Sequence, residues 1–238
     1  MMERIKRAII LAAGEGKRMR PVSLTTPKPL IKVNGISFID TIINALKSNG
    51  IHEIVIVTGY KKEQFYETYK NDPDIKVIDN PWYLDGNNIT SIYAARDYLP
   101  QSFIIEGDQI ISNISLFDPD IEKSGYAATY MDHAPEWAIK VENNKILDFT
   151  ITGRDNCCRL WGVSMWTLQD GERLSELVRK QFEDIKDLDV YWDELALSRC
   201  TTDFDLCIRE VGSGDIIEVD TFDELVSLDG TYIDYKEG

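Results

Sequence analysis

RAIILAAGEGKRMRPVSLTTPKPLIKV, residues 7–33, decides how the chain is to be read. An apolar run ends at Ala13 and gives way to Gly14 and Gly16, then to Lys17, Arg18 and Arg20. So short a run, bounded by glycine, reads as a buried strand, because helices need about ten residues or more. Glycines let the backbone approach a ligand closely, and the cations behind them attract anions. Further on, Pro27 and Pro29 bracket Lys28 and restrict the backbone that aims it.

Residues exclude two well-known phosphate loops. A dinucleotide fingerprint, G-x-G-x-x-G, needs glycine where Met19 stands. A P-loop needs Ser or Thr after Gly16-Lys17, where Arg18 stands, and its first glycine is missing.

Charge sharpens the reading. The chain carries a formal net charge of -15, yet residues 1–35 hold eight basic and two acidic side chains. An acidic body repels a phosphate backbone and argues against nucleic acid as a partner. A compact basic patch on it suits a small polyanion such as a triphosphate. At 43% hydrophobic and 28% charged, the composition is that of an ordinary folded protein. No apolar run approaches the length that crosses a bilayer, so no membrane partner is expected. The opening MMERIKRAIILAAG mimics a signal peptide, but its apolar part is short and basic sequence follows at once. Cys157, Cys158, Cys200 and Cys207 show no zinc spacing, and reduced thiols in a cytoplasmic protein are the expectation.

Strand-like and helix-like patterns alternate through the first half, which predicts an α/β fold with a mostly parallel sheet. The strands are Ala8–Ala13, Glu53–Thr58, Lys76–Asp79 and Ser102–Glu106. Ser37 caps a helix whose Ile39, Ile42, Ile43 and Leu46 share one face, with Gly50 at its end. Further helices fall near Lys61–Lys70 and over Ile89–Leu99. The second half changes to mixed or antiparallel strands: Tyr126–Met131, a hairpin over 138–149 turning at Asn143-Asn144, and Leu160–Trp166. Helices near Gly171–Phe182 and Val190–Ser198 follow, then a strand-turn-helix in IIEVDTFDELVSL. No linker divides the chain, so one domain over 1–238 is expected, with a nucleotide-binding half at 1–110 and an acceptor-binding half at 111–238.

The two-part motif LAAGEGKRMRP and TPKPL resembles the signature of the nucleoside-triphosphate transferase family, which joins nucleotides to sugar and alcohol phosphates. The resemblance extends along nearly the whole chain to bacterial choline-phosphate cytidylyltransferases, through VTGYKKEQF, GNNITSIY, EGD, EWAIKV, GVSMW, VYWDEL and IIEVDTFDEL. It implies a Rossmann-like mixed sheet of the nucleotide-diphospho-sugar transferase type, with an antiparallel extension on the acceptor side. It also implies transfer of CMP from CTP to phosphocholine, giving CDP-choline and pyrophosphate with Mg²⁺.

By the same resemblance, Arg18 and Lys28 are catalytic, and Asp108 binds the metal with Asp220 as second ligand. Asp220 before Thr221 also reads as a simple helix cap, and Asp193 is an alternative ligand. The nucleotide falls to Leu11, Ala12, Ala13, Gly14, Gly16, Lys17, Tyr60, Asn87, Asn88, Ser91 and Glu106. Trp137, Tyr191, Trp192 and Asp193 form the acceptor pocket. Carboxylates suit a hard cation. A trimethylammonium has no hydrogen-bond donor and is met by aromatic faces.

Neither His52 nor His133 belongs to a nucleophilic triad, and none is needed. A phosphate monoester with a second pKa of about 6 is already largely a dianion and attacks directly. Alternatives keep the chemistry and change the acceptor to 2-aminoethylphosphonate, phosphoethanolamine or a sugar 1-phosphate. A non-catalytic nucleotide-binding regulator is the reading from another class. The oligomeric state stays open.

Overall fold

The computed structural model describes residues 2–237. Four strands, β1 (Arg7–Ala12), β2 (Glu53–Thr58), β3 (Ile75–Asp79) and β4 (Ser102–Glu106), run parallel in the order β3–β2–β1–β4. Helices α1 (Phe38–Ser48), α2 (Lys62–Tyr69) and α3 (Ile89–Ala94) lie along the connections. β1 is apolar on both faces because both are covered. Ile9 and Leu11 enter one core, Ala8, Ile10 and Ala12 the other. The order reverses beside β1, with β2 on one flank and β4 on the other. A crevice therefore opens at the carboxyl ends of β1 and β4, where open α/β sheets take ligands.

Local signals act as expected at α1. Ser37 Oγ accepts the Asp40 amide at 3.1 Å, and Gly50 follows the helix end at φ 77°. Sequence overextended α3, which stops at Ala94, and Arg96–Tyr98 continue as a 3-10 turn.

The second half adds β5 (Gln109–Ile111), β6 (Gly125–Ala134), β7 (Ala138–Glu142), β8 (Lys145–Thr150), β9 (Arg154–Trp166), β10 (Cys207–Glu210) and β11 (Ile216–Glu218). Three helices accompany them: α4 (Leu168–Arg179), α5 (Trp192–Leu197) and α6 (Phe222–Leu228). β9 is the joint of the molecule. Its Val163–Trp166 end pairs antiparallel with β4, and nearly its whole length pairs with β6. β7 joins its first half, and the pairings β9–β7–β8–β10–β6–β9 close on themselves. Asn143 and Asn144 turn the β7–β8 hairpin at φ 50° and 63°, as the Asn-Asn pair predicts. Sequence placed only Leu160–Trp166 in β9, because RDNCCR before it lacks an apolar run. β5 was not expected, and it pairs antiparallel with β11.

A third core, away from the main sheet, matters most for the site. Met19, fully buried, packs with Val22, Ile31, Phe38, Val219, Phe222 and Leu225. The methionine that rules out a dinucleotide fingerprint thus pins the loop after β1 onto the start of α6. Among the described residues, no helix is long and apolar enough to cross a membrane.

Candidate active site

Gly16 makes the two halves of the loop motif meet. It sits at φ 59°, and a Cβ there would stand 2.9 Å from Lys28 Cβ. Only a bare backbone lets Lys28 lie behind the glycine turn. From that position the Lys28 ammonium bonds Asp108 Oδ2 at 2.9 Å and Asp220 Oδ1 at 2.8 Å. Burial pulls its pKa down, but the two carboxylates outweigh burial and hold it above its ordinary value. Arg18 reaches the same Asp220 oxygen at 3.1 Å while most of its guanidinium faces solvent.

Asp108 leaves the end of β4 through Gly107, where a Cβ would press 2.8 Å from the Leu11 carbonyl oxygen. Glu218 ends β11, and Asp220 follows two residues on. One oxygen from each of Asp108, Glu218 and Asp220 lies within 4.8 Å of the others. Arg159 of β9 bonds Glu218 Oε2 at 2.6 Å. Burial and the neighbouring Asp108 and Asp220 nonetheless push the Glu218 carboxyl up to about 7. Asp220 is raised by burial but lowered further by Lys28, and ends below its ordinary value. Asp108 Oδ1 is buried with no hydrogen-bond partner. Three carboxylates with one unsatisfied buried oxygen fit a hard divalent cation. The helix-capping role falls to Thr221, whose hydroxyl accepts the Glu224 amide, and Asp220 is free to face Lys28.

A second group in the cleft is built differently. Asn88 Nδ2 donates to Glu106 Oε1 at 3.0 Å, and Asn88 Oδ1 accepts the Trp192 amide at 3.0 Å. Asn88 thereby ties β4 to the first turn of α5, which carries Asp193. Burial, with Asp108 and Asp193 nearby, pushes Glu106 up to about 8. Burial raises Asp193 to about 7 against the opposing pull of the Tyr126 hydroxyl. Trp137 adopts φ 46°, a strained conformation for so bulky a residue, and its ring meets Tyr191 edge-on at 5.2 Å.

These groups line one cleft of about 720 Å³. It brings together Leu11, Ala12, Gly14, Gly16, Lys17, Arg18, Lys28, Asn87, Asn88, Glu106, Asp108, Trp137, Tyr191, Asp193 and Asp220. Four residues expected at the site are placed elsewhere. Trp192 is buried between Tyr126 and Trp166, because α5 turns that ring inward while Tyr191 stays outside. Ser91 is buried and takes a bond from Asn80. Ala13 and Tyr60 brace the loop: the Tyr60 amide donates to the Ala13 carbonyl, and its hydroxyl to the Ser23 carbonyl. Sequence reasoning passed over Glu218, Arg159, Gln109 and Gly162. Glu218 stands two residues before Asp220, the spacing that puts both on one side of an extended segment, a signal that was there to use. No local pattern marks the others.

A cationic loop at the switch point of a doubly flanked sheet, facing clustered carboxylates after β4 and β11, defines a nucleotidyltransferase. The chain belongs to the MobA-like NTP transferase domain family, whose model matches residues 8–138. It is 36% identical over 230 residues to the 2-aminoethylphosphonate cytidylyltransferase of Lancefieldella rimae, covering 95% of this chain and 93% of that one. It is 31% identical over 225 residues to the choline-phosphate cytidylyltransferase of Streptococcus pneumoniae, covering 94% and 96%. The solved structure of the CTP:phosphocholine cytidylyltransferase from Streptococcus pneumoniae matches with a TM-score of 0.87 at 30% identity, over 96% of this chain and 99% of that one.

Proposed function

We propose that the protein transfers CMP from CTP to a small phosphate or phosphonate bearing an ammonium group, and releases pyrophosphate. The observation that carries this is the layout of one cleft. The same cleft holds Lys28, Arg18 and the Asp108–Glu218–Asp220 group and also the Trp137–Tyr191 ring pair and Asp193. Relatives named for 2-aminoethylphosphonate and for choline phosphate both take acceptors of this kind. Phosphocholine, phosphoethanolamine and 2-aminoethylphosphonate are the candidate acceptors.

In this scheme an acceptor oxygen forms a bond to the α-phosphorus of CTP while the bond to the bridging oxygen breaks. Pyrophosphate leaves with that electron pair. A phosphate acceptor with a second pKa of about 6 needs no base to deprotonate it. The chain's task is therefore positioning and charge neutralisation. The backbone at Gly14 and Gly16 comes close to the phosphates, Arg18 offers a planar fork of donors, and Lys28 supplies a buried point charge. Asp108, Glu218 and Asp220 would hold Mg²⁺, whose contribution when bound is to offset phosphate charge. Trp137 and Tyr191 enclose the acceptor's carbon chain and exclude water.

The test crosses CTP, ATP, GTP and UTP with the three candidate acceptors and a sugar 1-phosphate, and reads pyrophosphate release with Mg²⁺. Release with CTP and an amine-bearing acceptor is expected. No release with any acceptor, or release only with the sugar phosphate, overturns the proposal.

A further inference from the structure

The two acidic groups in the cleft differ in what balances them. Lys28, Arg18 and Arg159 ion-pair with Asp220, Asp108 and Glu218. Among the described residues, neither Glu106 nor Asp193 forms an ion pair with any Lys, Arg or His, although Asp193 is buried and Glu106 half-buried in the cleft wall. Carboxyl groups in a cleft wall with no chain cation beside them offer acceptor oxygens to an incoming cation.

A second observation points to a ligand with N–H groups. Gln109 lines the same cleft at 1% exposure, and its Oε1 has no hydrogen-bond partner. A Cβ on Gly162 would stand 2.7 Å from Glu106 Cγ and 2.8 Å from Gln109 Nε2. The side chains of Glu106 and Gln109 thus lie together over a stretch of bare backbone in β9. Asn88 orients Glu106 from the other side through its 3.0 Å bond. A primary ammonium carries three donors for such acceptors, whereas a trimethylammonium carries none.

We propose that Glu106, with Gln109 and Asp193, receives the ammonium of the acceptor and selects a primary ammonium over a quaternary one. This assignment rests on the cytidylyl-transfer reading above. It makes Glu106 a specificity-determining residue for the acceptor and not a contact of the nucleotide.

The test measures kcat and KM for 2-aminoethylphosphonate, phosphoethanolamine and phosphocholine in the wild type, Glu106→Gln and Gln109→Leu, with CTP affinity followed by calorimetry. The wild type should favour the two primary amines over phosphocholine by about tenfold or more in kcat/KM. Glu106→Gln should raise KM for the primary amines about 30-fold, with kcat, the KM for phosphocholine and the Kd for CTP each within about threefold. Gln109→Leu should shift the same KM values in the same direction by about fivefold. Unchanged amine KM values, equal losses on phosphocholine, or weakened CTP binding in Glu106→Gln would overturn the assignment while leaving the transfer reading intact. If Glu106→Gln does not fold, the wild-type acceptor ranking and Gln109→Leu decide. A wild type that releases no pyrophosphate with any acceptor removes the transfer reading and this assignment together.

Discussion

At the loop end of the cleft, Lys28 stands between Asp108 and Asp220 at 2.9 and 2.8 Å, with Arg18 and Arg159 close by. Beside this group, Glu106 and Asp193 have Asn88 and the Tyr126 hydroxyl for company and no cation among the described residues. Both groups place carboxyls at or near the carboxyl end of β4. One group carries its countercharge on the chain, so it is preorganised for a polyanion that must be gripped and turned over. The other has no cation on the chain among the described residues, so its carboxyl oxygens are left for a cation from solution.

The largest expected effect comes from removing the stored countercharge. Lys28→Met should lower turnover about 10³-fold in a pyrophosphate-release assay. It also vacates the space between two carboxylates, so Mn²⁺ added without nucleotide should raise its melting temperature more than it raises the wild type's. An equal Mn²⁺ shift in both proteins would break the comparison at the loop end.

Next in size is the anchor beneath the loop. Met19 is fully buried against Val219, Phe222 and Leu225, and Met19→Ala should cost about 3 kcal/mol in chemical denaturation. CTP affinity should weaken with it, because the loop loses its seat on α6. Retained CTP affinity in a destabilised variant would show that the loop needs no such seat.

Gly162→Ala reaches the other group. Its methyl would press on Glu106 and Gln109, and the KM for a primary-amine acceptor should rise about tenfold with CTP affinity retained. A loss of CTP affinity instead would show that the two groups are not separable.

The smallest effect is one of pH. Burial raises Asp193 from 3.8 to about 7, with Tyr126, Glu194 and Glu106 the titratable groups facing it. The folded state therefore holds this proton more tightly than the unfolded chain does. The resulting stability is fully present below the unfolded value and is lost as pH rises through about 7. Asp193→Asn cannot ionise, so its melting temperature should exceed the wild type's at pH 8 and match it near pH 4. A constant difference between the two proteins across that range would mean that Asp193 carries no such shift.

Much of this was legible before any coordinates. The run Ala8–Ala13, the capped α1 and the Asn143-Asn144 turn follow from period, cap and turn chemistry, which act within a few residues. Arg18 and Lys28 stood out because glycines and prolines around them constrain the backbone, Asp108 and Asp220 only through the family resemblance, and the structure lines all four along one cleft. Trp192 could not be sorted from Tyr191 by pattern. The docking of α5 decides which of two adjacent rings enters the core. Arg159 and Gln109 were invisible for a similar reason: β11 comes from far along the chain to pair with β5, setting Glu218 opposite Gln109 and within reach of Arg159.

By itself, then, the amino-acid sequence determined the alternation of strands and helices and the cationic loop, since backbone conformation and local charge depend on adjacent residues. The tertiary structure alone decided which carboxylates are balanced. Lys28 finds Asp108 80 residues away and Asp220 192 residues away, and Glu106 is left beside Asp193 without a cation. Coulomb energy depends on distance in space and on burial, and neither quantity is written in the order of residues along the chain.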